Sequence, residues 1–186
     1  MKRIIKTIIL SLILSICFSS VNAQNVNLDF ATERNLMSKN LSSTIEADGS
    51  VYINEEFSLI RIAQYKDQLY SARFNAFNNE MEVKVAGDKI VALDNSADLE
   101  VTFTKTNTIY RTEDYIKESG NSKRGFLIVL FESENYTLYK EQKIKFYEKV
   151  KAASTYQMDK PAKFQREDDI YYIKKDDKTV YLPQQK

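Results

Sequence analysis

Any chemistry in this chain has to be built without the two most versatile catalytic side chains. The sequence contains no histidine, and its one cysteine, Cys17, stands inside an apolar N-terminal run. Thiol nucleophiles, histidine-based triads and the usual His/Cys zinc sites are therefore closed to the rest of the chain. Carboxylate-pair, Ser-Lys and Tyr-based chemistry survive, together with oxygen-ligand metal sites. Three acidic doublets are visible: Glu55-Glu56, Asp168-Asp169 and Asp176-Asp177. Neighbours on a strand point to opposite faces, so neither member of a doublet is aimed with the other at one substrate. Solvated turn or edge residues are the plainer reading. A glycosidase would need two carboxyls held about 5 to 10 Å apart across a cleft, and these would have to come from distant strands.

Other patterns are weaker. Asp94 to Asp98 holds two aspartates and an asparagine but lacks the glycine and distal glutamate of an EF-hand loop, so it reads as a polar loop. Gly87-Asp88 belongs to no phosphate-binding glycine pattern, and nucleotide binding has no support. Asn40-Leu41-Ser42 and Asn135-Tyr136-Thr137 match the glycosylation triplet, which has meaning only in a eukaryotic secretory pathway. Tyr52, Tyr65, Tyr70, Tyr110, Tyr115, Tyr136, Tyr139, Tyr171 and Tyr172 could line a ligand groove, although most tyrosines in a β domain simply pack. The sequence accordingly assigns no catalytic, cofactor-binding or metal-ligating residue and no cofactor, and the expectation is a protein with no chemical step of its own.

The elements that would position such groups are strands. Tyr70 to Ala86 carries two alternating runs around Asn78-Asn79, and asparagine tolerates the positive φ of a tight hairpin turn. A two-residue turn there pairs Ala76 with Met81, Phe74 with Val83 and Ala72 with Val85 on one apolar face. Phe77 with Glu80 and Asn75 with Glu82 fall on the other, which predicts that Asn75→Ala is nearly neutral while Phe74→Ala is costly. One pair is discordant, because Arg73 then faces Lys84. A second two-residue turn at Gly87-Asp88 brings Val85 to Ile90 and Val83 to Ala92. Leu99, Val101 and Phe103 alternate with polar residues as a fourth strand, and Ile109 to Ile116 is patterned less cleanly. Gly125 to Phe131 is apolar after its glycine and predicts a central strand buried on both faces. Tyr136 to Phe146 predicts another hairpin, and Ile170 to Lys174 pairs with Lys178 to Leu182 across Lys175-Asp176-Asp177. Tyr147 to Lys163 is a helix or an irregular crossing, ended irregularly by Pro161. Four Gly and two Pro count against a many-turned barrel.

The N-terminus reads as a secretory signal peptide over residues 1–23. Lys2, Arg3 and Lys6 precede an apolar run from Ile8 to Phe18, and a polar stretch ends in Val21-Asn22-Ala23. That run is far shorter than the roughly 20 residues a spanning helix needs. Lipid attachment at Cys17 would call for a small residue where Ile16 stands. Cleavage after Ala23 leaves 163 residues (186 minus 23), enough for one core, and 24 basic against 26 acidic side chains, a net charge of −2. That balance does not favour a nucleic-acid partner, and no later stretch is long and apolar enough for a transmembrane helix. With no cysteine after Cys17, stability rests on packing, much of it from Tyr and Phe.

The stretches Gly49 to Phe57, Arg73 to Lys84, Gly125 to Leu130 and Pro161-Ala162-Lys163-Phe164 resemble a group of uncharacterised exported β-rich proteins of Bacteroidota, over most of residues 49 to 182. The resemblance implies a periplasmic or outer-membrane-associated location and transfers no active site. It also implies that a lysine-rich helical tail follows in many members, beyond the position of Gln184-Gln185-Lys186.

These readings converge on an all-β chain with room for one short helix. The organisation is a signal peptide (1–23), a partly ordered lead-in (24–49) and a single antiparallel β-sandwich or partly open β-barrel (50–186). The expected role is a non-catalytic binding or accessory module of the cell envelope, its partner an envelope protein or an apolar small molecule. A lipocalin-like carrier of an apolar ligand and a carboxylate-dependent hydrolase are the alternatives.

Overall fold

The structure, a computed structural model, describes residues 38–42, 45–65, 68–85, 87, 89–152 and 158–184. The signal peptide with Cys17, the first part of the lead-in and Asp88 lie outside these residues. Thirteen strands account for the regular structure: β1 (Ser38–Lys39), β2 (Ser58–Ile62), β3 (Leu69–Asn75), β4 (Glu80–Lys84), β5 (Ile90–Leu93), β6 (Glu100–Phe103), β7 (Thr108–Ile116), β8 (Ser122–Glu132), β9 (Thr137–Glu141), β10 (Ile144–Tyr147), β11 (Lys163–Arg166), β12 (Ile170–Lys175) and β13 (Lys178–Tyr181). The fold is all-β, and no α-helix occurs among the described residues. The described parts of the Tyr147 to Lys163 crossing are irregular, joined by a single bridge between Val150 and Lys160.

Eleven strands form one sheet in the order β1-β5-β4-β3-β2-β6-β7-β13-β12-β9-β8, and β8 returns to pair with β7. The ring β7-β13-β12-β9-β8 is therefore a closed five-stranded barrel. Its seam departs from antiparallel pairing: β13 runs parallel to β7, with Thr179 opposite Tyr115 and Val180 opposite Ile116. The strands β5-β4-β3-β2-β6 extend from β7 and curl so that their apolar face meets the outer face of β8. Phe126 and Ile128 of β8 join Phe74, Met81, Val83 and Val101 in this larger core, whereas Leu127 points into the barrel with Tyr115, Tyr139 and Tyr172. The expectation of a doubly buried central strand thus holds for Phe126 to Ile128. It fails beyond Val129, where β7 has ended and Leu130 and Phe131 are 44% and 52% exposed. The small sheet β10–β11 closes one end of the larger core through Phe146 and Phe164, whose ring lies 4.9 Å from that of Phe77.

The first hairpin keeps the expected core face but not the expected register. Ala72 lies opposite Val83, Arg73 opposite Glu82 and Phe74 opposite Met81, two residues off the pairing that a turn at Asn78-Asn79 alone would give. The turn is longer, Ala76 to Asn79, and only Asn79 takes a positive φ, 56°. A slip of two leaves every side chain on its own face. It replaces the Arg73–Lys84 conflict with an Arg73–Glu82 ion pair at 2.9 Å, and it frees Asn79 to reach across the gap between β4 and β8. There the Asn79 amide donates to the Phe126 carbonyl at 3.0 Å and accepts from the Phe126 N–H at 2.6 Å. β9 pairs with β8 only from Ile128 onward, so this side chain satisfies an otherwise free strand edge. Gly125 makes the approach feasible, since a Cβ there would collide with Asn79 Oδ1.

The second turn is a correction of the opposite kind. Val83 faces Val91 and Lys84 faces Ile90, one residue off the two-residue turn, with Gly87 at φ 70° and the Val85 N–H bonded to the Lys89 carbonyl. A one-residue change inverts the strand's faces. Val91 and Leu93, not Ile90, therefore enter the larger core. Tyr136 to Phe146 is likewise not a hairpin: β9 pairs with β8 and β12, while β10 pairs with β11. The β12–β13 hairpin forms as expected, with Asp176 and Asp177 both at positive φ, 49° and 61°.

The opposite face of the first hairpin is not wet. Asn75 is 2% exposed, its amide donating to Glu82 and its carbonyl oxygen accepting the Asn78 N–H. Tyr52 stacks beneath the Arg73 guanidinium, whose carbon lies 3.9 Å from the ring centroid, and donates its hydroxyl to Glu82. Ser42 and Lys39 of the lead-in hold Glu80 at 2.6 and 3.4 Å. The described lead-in is thus stitched to β4 and β5 over Glu80, while Tyr52 and Arg73 cover Glu82, and the buried Asn75 bonded to Glu82 runs against the expectation that Asn75→Ala is nearly neutral.

Candidate functional site

Chemically capable side chains come together at several places among the described residues, and two of them bear on function. The first is the barrel interior, where β7 and β9 exchange tyrosine and glutamate partners. The Tyr139 hydroxyl donates to Glu113 at 2.6 Å, and Lys174 donates to both oxygens of Glu113 at 3.0 and 3.2 Å. Reciprocally, Tyr115 and Tyr172 donate to the two oxygens of Glu141, each at 2.8 Å, with Lys123 at 3.1 Å. Both carboxyls are buried. Carboxylates from two different strands thus enter the barrel, each in its own set of partners and each already met by an ammonium and at least one tyrosyl hydroxyl. Burial pushes the Glu141 carboxyl up. The Lys123 charge and the Tyr172 and Tyr115 hydroxyls together outweigh it, and the group sits below the usual carboxylate range. A general acid needs the opposite shift. The tyrosines pair with this arrangement: burial first, and then the adjoining Glu141 charge, push Tyr115 and Tyr172 far above their ordinary value. The barrel is filled by side chains rather than hollow, as a five-stranded ring allows.

The second place is an open cleft of about 540 Å³ on the outer side of the shared strands, between the β6–β7 turn and β8–β9. Its floor is apolar, with Phe74, Phe103, Tyr110, Ile128 and Leu130; its rim carries Arg73, Lys105, Lys140 and Glu56. Leu130 reaches this position through a β-bulge: Val129 faces Tyr139 and Phe131 faces Leu138, which leaves Leu130 as the extra residue between them. Bulges re-aim side chains and terminate pairing, and they recur beside binding sites. On the rim, Arg73 is committed to Glu82 and Tyr52, and Lys140 pairs with Asp169 at 3.3 Å. Lys105, on the turn that ends at Asn107 with φ 52°, is exposed and has no ion-pair partner among the described residues. The Tyr110 hydroxyl donates its one proton to Gln142 at 3.1 Å, and burial pushes its pKa well above the ordinary value.

The acidic doublets are gathered into neither site. Glu55 and Asp168 are exposed, and Asp176-Asp177 makes the β12–β13 turn; Glu56 alone reaches the cleft rim. Asp94 accepts the Ser96 N–H within a local turn, which lowers its pKa, and among the described residues no cluster of three metal-ligating side chains occurs. Of the tyrosines considered for a groove, only Tyr110 lines the cleft; Tyr115, Tyr139 and Tyr172 fill the barrel, and Tyr52 bonds Glu82 on the far face of the first hairpin. The sequence reading missed Glu113, Glu141 and Leu130. Its available signal for Leu130 was an apolar run that continues past the residues β7 can cover. Among the described residues no helix is long and apolar enough to cross a membrane. The fold and cleft define an all-β protein with a closed barrel and an external amphipathic groove. Neither a family model, a curated protein nor a solved structure matches the chain.

Proposed function

We propose that the chain is an exported, non-catalytic binding or accessory module of the cell envelope, and that the cleft beside the Leu130 bulge is where it binds. The observation that carries this reading is the contrast between the two sites. In the barrel Glu113 and Glu141 are saturated by tyrosyl hydroxyls and ammonium groups, and the Thr179 hydroxyl of β13 is the buried side-chain group left without a partner among the described residues, whereas the cleft presents an apolar floor, polar edges and a volume within the roughly 300–1,000 Å³ of small-ligand sites. Export rests on the three-part N-terminus and on the resemblance to exported Bacteroidota proteins, with a periplasmic or outer-membrane-associated location. The carrier reading keeps its apolar ligand but moves it from the barrel interior to the cleft, because Tyr115, Leu127, Tyr139 and Tyr172 occupy that interior.

Export is tested by fractionation and mass spectrometry of the processed protein, with an N-terminus at Gln24 expected; retention of residues 1–23 or a lipid on Cys17 would overturn it. Binding is tested by affinity purification from envelope fractions, comparing wild type with Leu130→Asp and identifying co-purifying proteins and lipids. Material lost in the variant is expected, and identical profiles would remove the cleft from the reading. Broad hydrolase assays are expected to show no turnover. Turnover abolished by Glu113→Gln or Glu141→Gln in folded protein would make the protein an enzyme.

A further inference from the structure

We propose that the ribbon formed by β10 and β11, where it runs on through Val150 and Lys160, docks on a bilayer surface that displays anionic lipid. The inference does not rest on the cleft, whose lining includes none of the ribbon's residues. Residues 143–167 carry seven Lys and Arg against three Asp and Glu, while the rest of residues 24–186 carries 17 against 23. Positive charge is thus concentrated on one element of an otherwise acidic chain. Ile144, Phe146 and Phe164 anchor the ribbon's inward face in the larger core. At its root the charges cancel, since Lys140, Lys143 and Arg166 stand with Glu167, Asp168 and Asp169. From Lys145 outward they do not. Lys145, Lys149, Lys151, Lys160 and Lys163 are all exposed, and against them stand Glu148 and Asp159 on the ribbon and Asp48, bridged to Lys163.

Of these five lysines, Lys149 is ion-paired, with Asp159 at 3.4 Å, and the other four have no ion-pair partner among the described residues. Lys145 and Lys163 lie over the ring of Tyr147, 4.9 and 5.9 Å from its centroid, which orients their stems on the ribbon's outward face. Such a surplus by itself suits any polyanion; the apolar residues beside it select the bilayer. The two most exposed large apolar side chains among the described residues, Met158 at 91% and Val150 at 57%, both stand in this stretch. A soluble polyanion offers them nothing. The boundary between head groups and acyl chains takes apolar side chains while lysines remain among the lipid phosphates, and each part of that pairing strengthens the other.

The test uses the exported protein as purified from the cell, sedimented with vesicles of phosphatidylcholine alone or with about a third phosphatidylglycerol. Binding to the anionic vesicles is expected, at least about tenfold tighter than to neutral ones and weakened by salt. Lys151→Gln combined with Lys160→Gln should weaken it about 25-fold, at about fivefold for each lysine beside an anionic leaflet. Met158→Gln should weaken it about fivefold and leave the binding of dextran sulfate, a soluble polyanion, unchanged. Lys175→Gln combined with Lys178→Gln, on the β12–β13 turn, should change vesicle binding less than about twofold. All these side chains are exposed, so melting temperatures should stay at the wild-type value. Should a variant not fold, hydrogen exchange of the wild type on and off vesicles still locates the contact, with protection expected at residues 145–151 and 158–163. Equal binding to neutral and anionic vesicles, protection elsewhere, or equal losses from the ribbon and turn variants would overturn the proposal. Vesicle binding indifferent to Met158→Gln would overturn the bilayer as the occupant.

Discussion

Replacing Asn79 by alanine removes a side chain that hydrogen-bonds across the gap between β4 and the free edge of β8. The Asn79 amide is 2% exposed and holds both polar groups of the Phe126 peptide linkages, so its loss deletes two hydrogen bonds and leaves a buried N–H and a buried C=O without partners. Each lost bond with its orphaned partner costs about 1–3 kcal/mol, giving about 2–6 kcal/mol together. Alanine at φ 56° adds about 1 kcal/mol that glycine would not. Asn79→Gly should therefore be less damaging than Asn79→Ala by about that amount, while still losing the latch. Gly125→Ala tests the same contact from the other side, because its Cβ would displace Asn79 Oδ1. It should cost about 2–4 kcal/mol in the wild-type background and under about 1 kcal/mol once Asn79 is already glycine. The assay is urea unfolding followed by far-ultraviolet circular dichroism, with unchanged m-values as the condition for comparing midpoints. Against a whole-domain stability of about 5–15 kcal/mol these are large effects. The reasoning is refuted if Asn79→Ala costs less than about 1 kcal/mol, or if Gly125→Ala costs the same in both backgrounds.

Phe74→Ala should cost about 3–5 kcal/mol and Asn75→Ala about 1–3 kcal/mol in the same assay, since one opens the larger core and the other strips a buried donor from Glu82; a neutral Asn75→Ala would mean that the Tyr52–Glu82 layer is not closed. The depressed pKa of Glu141 stabilises the fold above its ordinary value near 4.5, and that contribution is lost as pH falls through the lower folded value. Acid unfolding curves should lose part of their slope below that pH in Glu141→Gln, which should also cost about 2–4 kcal/mol at neutral pH by leaving Lys123 and a tyrosyl hydroxyl without their acceptor. Tyr115, Tyr139 and Tyr172 have folded pKa values raised above 10.0, so their contribution is complete below pH 10 and is lost as pH rises toward the folded values. On titration with alkali, the near-ultraviolet tyrosinate signal should rise in two stages, the second coinciding with loss of far-ultraviolet structure; a single gradual rise with the fold intact would contradict the buried barrel network.

How much of this was legible in the sequence can be argued strand by strand. Alternation assigned Phe74, Ala76, Met81, Val83 and Val85 to one face, and all five are buried. It could not assign their register, because a two-residue slip leaves the pattern unchanged. The discord of Arg73 facing Lys84 was the local signal that the shorter turn was wrong, and charge pairing with Glu82 resolves it. At β5 the pattern was no guide, since Ile90 to Leu93 is apolar throughout and turn length alone decides which residues face inward.

The deeper failure concerns polar residues. Glu80 and Glu82 alternate with apolar side chains, which a single strand in isolation presents as a wet face, while Glu113 stands between Thr112 and Asp114 and Glu141 between Lys140 and Gln142, where no apolar neighbour signals burial. Each is buried because another segment arrives from far along the chain: Ser42 and Tyr52 over β4, and β12 with its Lys174 and Tyr172 over β7 and β9. Period two states that a strand has two different faces, and it does not state that the polar face meets water. In a sheet that closes on itself the inner face is enclosed whatever its composition, and polar side chains survive there only as mutually satisfied sets. Tyr139 with Glu113 and Tyr115 with Glu141, on strands paired through β8 and β12, form such a set. The two carboxylates that come closest to resembling a catalytic pair are therefore the requirement of a closed barrel, in which Thr179 Oγ1 of β13 is the buried side-chain oxygen left without a partner among the described residues.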